Sequence, residues 1–254
     1  MKSTFPVNQI AFSRNKSFTG KPTIIFLHDS LGCIELWRDF PNQLSEITQC
    51  NTLVYDRQGY GKSCDFTYSQ RDNLYMEHEA DILIQLLDYW NLEKAILFGH
   101  SDGGSIALIA AGKYPDRIQG VITQGAHVFV EDVTLKGINH AVELYHTTNL
   151  KSKLEKYHGN KTNDLFWAWA KTWNTPEFIG WNIENFLPSI ICKSLIIQGE
   201  MDEYGTLNQV HQIIKGTSGL AKQLIIPNIG HSPHKENLEI TLTESARFIL
   251  GLNS

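Results

Sequence analysis

The stretch Gly99–Leu108, GHSDGGSIAL, sets Ser101 among Gly99, Gly103 and Gly104, with Asp102 directly after it. A serine hydroxyl attacks a carbonyl at neutral pH when a general base takes its proton and a carboxylate orients that base. For a serine on a sharp G-x-S-x-G bend between strand and helix, the partners are expected in the chain order serine, acid, histidine. The chain supplies both downstream. GEMDEYGT at 199–206 carries Glu200, Asp202 and Glu203. Asp202, just past the Gly199 turn, is the preferred acid, with Glu200 and Glu203 as alternatives. GHSPHKE at 230–236 carries His231, presented by Gly230 ahead of a helix, and this is the expected base. His234 reads as a surface residue.

The glycines have a steric reason. A bend tight enough to hold a serine in a strained conformation brings backbone so close that a Cβ two positions to either side would clash. The same stretch lacks both G-x-G-x-x-G and a P-loop ending, so a phosphate-binding turn is disfavoured. Asp102 is a rival nucleophile, but shifting the frame by one residue puts His100 where a small residue is needed. Its backbone amide, at a helix start, is instead one expected oxyanion donor. Its carboxylate either favours the helix N-terminus or receives a substrate ammonium. The second oxyanion amide is expected from the loop His28-Asp29-Ser30-Leu31-Gly32, with Ser30 best placed. His28 and His100 read as structural, holding loops by hydrogen bonds.

These groups need a scaffold that brings distant segments to one edge. PTIIFLH, TLVYD, KAILFGH and IQGVITQ are apolar enough to be strands buried on both faces. Ile82, Leu83, Leu86, Leu87 and Trp90 form one helical stripe between the second and third runs. A small-residue helix follows Ser101 and ends at Tyr114-Pro115. Residues 127–188 lack strand-like runs and are crowded with Phe166, Trp167, Trp169, Trp173, Phe178 and Trp181. They read as a helical cap inserted into a core made of 1–126 and 189–254, the whole forming one catalytic domain. These aromatics are expected to pack lid on core more often than to line a pocket. SLIIQGEMD and KQLIIPNIGH resume the strand pattern around a helix at 207–215, and a last helix should bury Leu238, Leu242, Ala246, Ile249 and Leu250.

A formal charge of −5 over 254 residues gives no general attraction to nucleic acid or anionic lipid. The local cluster Lys151, Lys153, Lys156 and Lys161 reads as a solvated face. Cys33, Cys50, Cys64 and Cys192 are scattered without a CxxC pair and read as reduced thiols, Cys33 as plain packing. The opening MKSTFPVNQI has no apolar run or cleavage site, and no later segment approaches bilayer length. The expectations are a cytoplasmic protein with a small-molecule substrate, no nucleic-acid or membrane partner, no cofactor and no metal. A homodimer is left open.

HDSLG at 28–32, YDRQGYGKS at 55–63, GHSDGG at 99–104, GEMDEYGT at 199–206 and GHSPHKE at 230–236 together resemble the α/β-hydrolase superfamily, serine-nucleophile branch, over nearly the whole chain. The resemblance implies a mostly parallel sheet flanked by helices, with a cap. YDRQGYGKS looks like the superfamily's D-x-x-G-x-G-x-S turn, which shapes the site without doing chemistry. Asp29 departs from the commoner His-Gly start of the first motif. GHSDGG with the helix after it is similar to the valacyclovir hydrolase, or biphenyl hydrolase-like, enzymes, in which the residue matching Asp102 receives an amino group. The function expected is a cofactor-independent serine hydrolase acting on a small, partly apolar carboxylic ester through an acyl-enzyme. Alternatives are a carbon–carbon bond hydrolase, an acyltransferase or perhydrolase with the same triad, and a ligand-sensing protein of low turnover.

Overall fold

A strand that is apolar on both faces must be covered by helices above and below, and the four early runs obey this. The computed structural model describes residues 5–67 and 71–252. Its strands are β1 Phe12–Asn15, β2 Thr23–Leu27, β3 Asn51–Tyr55, β4 Ala95–His100, β5 Ile118–Gln124, β6 Lys193–Gly199 and β7 Ala221–Ile226. They form one sheet in the order β1-β3-β2-β4-β5-β6-β7. β1 is antiparallel to β3, and every other pair is parallel.

The helices are α1 Phe40–Thr48, α2 Tyr75–Tyr89, α3 Asp102–Lys113, α4 Asp132–Thr147, α5 Leu150–His158, α6 Thr162–Trp173, α7 Pro176–Ile179, α8 Leu207–Gly216, α9 Pro233–Glu236 and α10 Leu238–Leu250. Alternate strand residues enter two cores. Ile25, Leu27, Leu53, Leu97 and Val121 join α2 and α3, while Ile24, Phe26, Val54, Ile96, Phe98 and Ile122 join Phe40 and Leu44 of α1 and Ala246 and Ile249 of α10. The strand order reverses between β2 and β4, and in such sheets ligands bind beyond the carboxyl ends of the strands at that reversal. The loops after β2 and β4 meet there.

Helices α4 to α7 lie between β5 and β6. Phe166, Trp169, Trp173, Phe178 and Trp181 are buried in the same core as α2 and α3. Phe178 stacks on Trp181 with planes 8° apart.

Two surface expectations are corrected. Lys161 leaves its solvated face, because its ammonium donates to the Tyr60 and Ser63 carbonyls and ties the start of α6 to the turn after β3. In α10 the buried side is Thr241, Ser245, Ala246 and Ile249, whereas Leu238 and Leu250, at the two helix ends, are exposed. Small buried hydroxyls carry part of that face, and an apolar periodicity does not count them. Of the opening stretch, residues 1–4 lie outside the described residues. Among the described residues no helix is long and apolar enough to cross a membrane.

Candidate active site

Ser101 sits between the last residue of β4 and the first of α3 with φ 54° and ψ −120°, a conformation that costs a non-glycine residue on the order of 1–3 kcal/mol. The neighbouring glycines make the bend possible. A Cβ at Gly99 would lie 2.2 Å from the Gly103 carbonyl oxygen, and one at Gly103 would lie 2.1 Å from that of Leu27. The Ser101 amide donates to the Gln124 carbonyl at 2.8 Å, pinning the bend to the end of β5. Ser101 opens onto a cavity of about 250 Å³ shared with His231, Asp102, Ser30, Trp169 and Trp173. Its hydroxyl makes no hydrogen bond among the described residues. Nucleophile–base contacts are commonly loose before substrate binds.

His231 reaches the cavity from the loop after β7, and its Nδ1 donates to both Asp202 oxygens at 2.8 Å. That leaves Nε2 as the nitrogen able to take a proton. Burial works to lower the His231 pKa, but the charge and hydrogen bond of Asp202, helped by Glu203 and Asp29, hold it above its ordinary value. Asp202 also accepts from the Gln198 side-chain amide at 2.8 Å and from the Tyr204 and Gly205 amides at 2.8 and 3.3 Å. Burial works against its charge, yet His231 and these donors keep the carboxyl below the usual carboxylate range. The alternatives lie elsewhere. Glu203 accepts from the His231 backbone amide at 3.2 Å, and Glu200 from that of Asn228 at 3.4 Å.

The two expected oxyanion amides flank the reversal point. In the β2 loop the Leu31 amide is taken by Asp29 Oδ1 at 2.8 Å. The Ser30 amide, and that of Asp102 at the first position of α3, donate to nothing among the described residues. Both residues line the cavity. The Asp102 carboxylate is 1 % exposed; Oδ2 accepts from Tyr75 Oη at 2.9 Å and lies 3.8 Å from Arg57 Nη1, while Oδ1 is buried without a partner. Tyr75 in turn accepts from Trp173 Nε1 at 3.0 Å, so the elbow and α6 are joined through one phenol.

His234 is not on the surface. It is buried, with its amide and Nδ1 donating to Gln124 Oε1 and its ring 4.7 Å from that of Trp37, because Pro233 starts a short helix that turns it inward. Cys33 is buried, and burial pushes its thiol up to about 12, which suits packing. Among the described residues no group of three His, Cys, Asp or Glu side chains could hold a metal ion. Trp169 and Trp173 face the cavity as well as the core, so the apolar wall comes from α6.

Gly125 is a site residue that spacing did not reveal. At φ +57°, an added Cβ would meet His231 Cε1 and Nδ1 at 2.7 and 2.8 Å. Gly125→Ala is therefore expected to displace the imidazole and lower kcat by about 100-fold, with far-UV circular dichroism unchanged. Wild-type kcat in this variant would show that the ring does not need that space.

The family model described as alpha/beta hydrolase fold matches residues 22–154, about half of the chain. The chain is 27% identical to serine hydrolase BPHL of Homo sapiens over 231 residues, covering 83% of this chain and 75% of that protein. To serine hydrolase BPHL of Mus musculus it is 30% identical over 213 residues, covering 77% and 68%. Serine hydrolase CCSP0084 from the bacterium Cycloclasticus zankles superposes with a TM-score of 0.80 at 18% identity, over 98% of both chains. A thermophilic esterase from Thermogutta terrifontis superposes with a TM-score of 0.71 at 19% identity, over 96% and 94%. At these identities the two structural likenesses speak for the fold alone.

Proposed function

The chain belongs to the α/β-hydrolase family, and from that premise we propose that it is a cofactor-independent serine hydrolase cleaving small carboxylic esters through an acyl-enzyme. The carrying observation is that His231, bonded to Asp202 behind it, opens onto the same cavity as a serine held at positive φ. Ser101 Oγ attacks the ester carbonyl carbon while His231 Nε2 takes the hydroxyl proton, and Asp202 stabilises the imidazolium that results. The Ser30 and Asp102 amides hold the tetrahedral oxyanion. Collapse expels the alcohol, protonated by His231, and a water activated by the same ring then releases the acid. The helices between β5 and β6 act as a cap whose Trp169 and Trp173 face the bound group.

A cavity of about 250 Å³ lies below the usual size range of ligand pockets, roughly 300–1,000 Å³, which supports a small substrate. An ester is favoured over an amide because an alkoxide leaves more easily than an amine. The test is a panel of p-nitrophenyl esters of increasing acyl length. A burst of nitrophenol equal to the enzyme concentration, with the highest kcat/KM at short chains, is expected. Turnover of vinylogous diketones without ester turnover would favour carbon–carbon cleavage, and product partition to added alcohol or peroxide would favour acyl transfer. Saturable binding without a burst would leave a ligand sensor.

One observation favours a narrower substrate, an ester with an α-amino group. The buried Asp102 Oδ1 has no partner and belongs to a residue lining the cavity. An ammonium donating to it would supply a charge-assisted bond, about 1.5–3 kcal/mol. Asp102→Asn is then expected to lower kcat/KM for α-amino esters by about 10- to 100-fold and to change it little for the matching non-amino esters. Equal losses on both would restrict the carboxylate to Arg57 and the helix start.

A further inference from the structure

The histidines around the cavity differ in what their nitrogens face. His28 Nδ1 donates to the Asp29 carbonyl at 2.7 Å and its Nε2 accepts from the Arg57 amide at 3.0 Å. His158 Nε2 donates to the Leu31 carbonyl at 3.0 Å and its Nδ1 accepts from the Gly61 amide at 3.0 Å. One acceptor and one donor suit a neutral imidazole, which has one N–H and one lone pair. His100 is different. Its Nε2 lies 2.8 Å from the His231 carbonyl oxygen and its Nδ1 lies 3.1 Å from Asp29 Oδ2. Both of those oxygens only accept when Asp29 is ionised.

We infer that His100 is held as an imidazolium by Asp29, and that this pair positions the base by tying the loop that carries the Ser30 amide to the backbone of His231. The inference rests on reading Ser101 as the acylated nucleophile. Its content is a third linkage across the site, beside the elbow and the Asp202–His231 bond. The oxyanion donor and the general base sit on segments about 200 residues apart, and one ring bridges them.

A neutral His100 would aim a lone pair at an oxygen lone pair on one side or the other. A proton on Asp29 Oδ2 would also satisfy the contact, but Oδ1 already accepts from the Leu31 amide and Lys235 Nζ lies 4.0 Å from Oδ2, both favouring the carboxylate. Burial works to raise the Asp29 pKa, but the His100 bond and charge, with Lys235, hold the carboxyl well below its usual range. For His100 itself burial, with the charges of His231 and Lys235, outweighs the Asp29 bond and charge and lowers the pKa from its ordinary value, so the imidazolium rests on the contacts alone. With its proton the pair is neutral overall, whereas without it the partly exposed Asp29 carboxylate is left without a charged partner closer than Lys235 at 4.0 Å.

The other titratable groups facing His100 are His231, His234 and, through Asp29, Lys235. The His231 and His234 rings lie 5.2 and 5.0 Å away. His234 is held well below its ordinary pKa, first by burial and then by its charged neighbours, and so adds no repulsion at neutral pH. His231 is neutral in the form that accepts the Ser101 proton. In both other clear cases, His28 and His158, the structure pairs the ring with a backbone donor; at His100 it does not.

The test uses full-length protein labelled with ¹⁵N in its histidines. At neutral pH both ring nitrogens of His100, assigned by the signal lost in His100→Gln, are expected to be protonated, and Asp29→Asn is expected to return one of them to the bare state. A bare nitrogen in the wild type overturns the inference. Kinetics supply a second readout. Asp29→Asn and His100→Gln should each lower kcat for a p-nitrophenyl ester by about tenfold or more, as expected for a misplaced catalytic group, with KM little changed. The double variant should be no slower than the worse single one. Wild-type kcat in Asp29→Asn, or losses that multiply in the double variant, overturns the positioning role even if His100→Gln fails to fold. Absence of an acyl-enzyme in the wild type would instead overturn the reading of Ser101 on which that role depends, and the nitrogen measurement separates the two failures.

Discussion

Ser101→Ala is expected to abolish ester turnover, by on the order of 10⁴- to 10⁶-fold, and to abolish labelling by a fluorophosphonate probe. The reaction loses the oxygen that becomes acylated, and no neighbouring group replaces it. Asp102 follows directly in the chain, but Oδ2 of its carboxylate is held by Tyr75 beside Arg57 and Oδ1 is buried. The nearest thiol at the β2 loop, Cys33, is buried and held in its inert form. Stability should barely change. Alanine meets the same positive φ as serine, and the Ser101 side chain holds no hydrogen bond among the described residues. Thermal unfolding within about a degree of wild type, together with lost labelling, is the expected pair of results. Labelling that persists at the wild-type rate would place the nucleophile elsewhere.

Asp202→Asn carries the second large effect, a loss in kcat of about 10⁴-fold. The carboxylate accepts from His231 Nδ1, the Gln198 amide group and the backbone amides of Tyr204 and Gly205. An asparagine brings an NH₂ group to a ring of donors, so the imidazole flips its tautomer or turns away. A change in pH dependence should accompany the loss. The base takes the serine proton only when neutral, so kcat/KM rises with pH through the His231 pKa. Asp202 holds that pKa above the ordinary imidazole value, about 6.5, and the wild-type acid limb should lie on the high side of it. Removing the carboxylate charge moves the limb to lower pH. A limb that stays in place in the variant would show that Asp202 does not govern His231.

The Ser101 bend and the Asp202–His231 pair, proposed as nucleophile, acid and base, were legible because such chemistry demands residue types at set places. Glycines flank a strained serine for steric reasons, and His231 and Asp202 each follow a strand end. The parallel sheet was legible because strands covered on both faces read as unbroken apolar runs. What escaped depends on contacts between segments far apart in the chain. Gly125 shows no signal in spacing, since its role is the room it leaves for His231. The pairing of Asp29 with His100 joins two loops, and the sequence alone showed only that Asp29 was an unusual residue in its motif. His234 was misplaced because its burial depends on Gln124 and Trp37, far upstream. β1 went unread because FSRN is a short, half-exposed edge strand with no apolar run. In α10 the exposed Leu238 and Leu250 drew the apolar stripe away from a face partly built of buried Thr241 and Ser245.

The aromatic residues between β5 and β6 show why composition gives only part of a pocket. Tyr145 stacks on Phe166 with ring centroids 3.8 Å apart, and Phe178 on Trp181, so both pairs serve the core. Trp169 and Trp173 do both jobs, and only their position on α6 relative to the elbow distinguishes them.

The most direct measurement is acid quenching of the protein during turnover of p-nitrophenyl acetate, followed by peptide mass spectrometry. The expected result is one acetyl group per chain, mapped to Ser101 and absent from Ser101→Ala. An acetyl group on another residue, or steady turnover with no acyl group trapped on the protein, would contradict covalent catalysis at the strained serine.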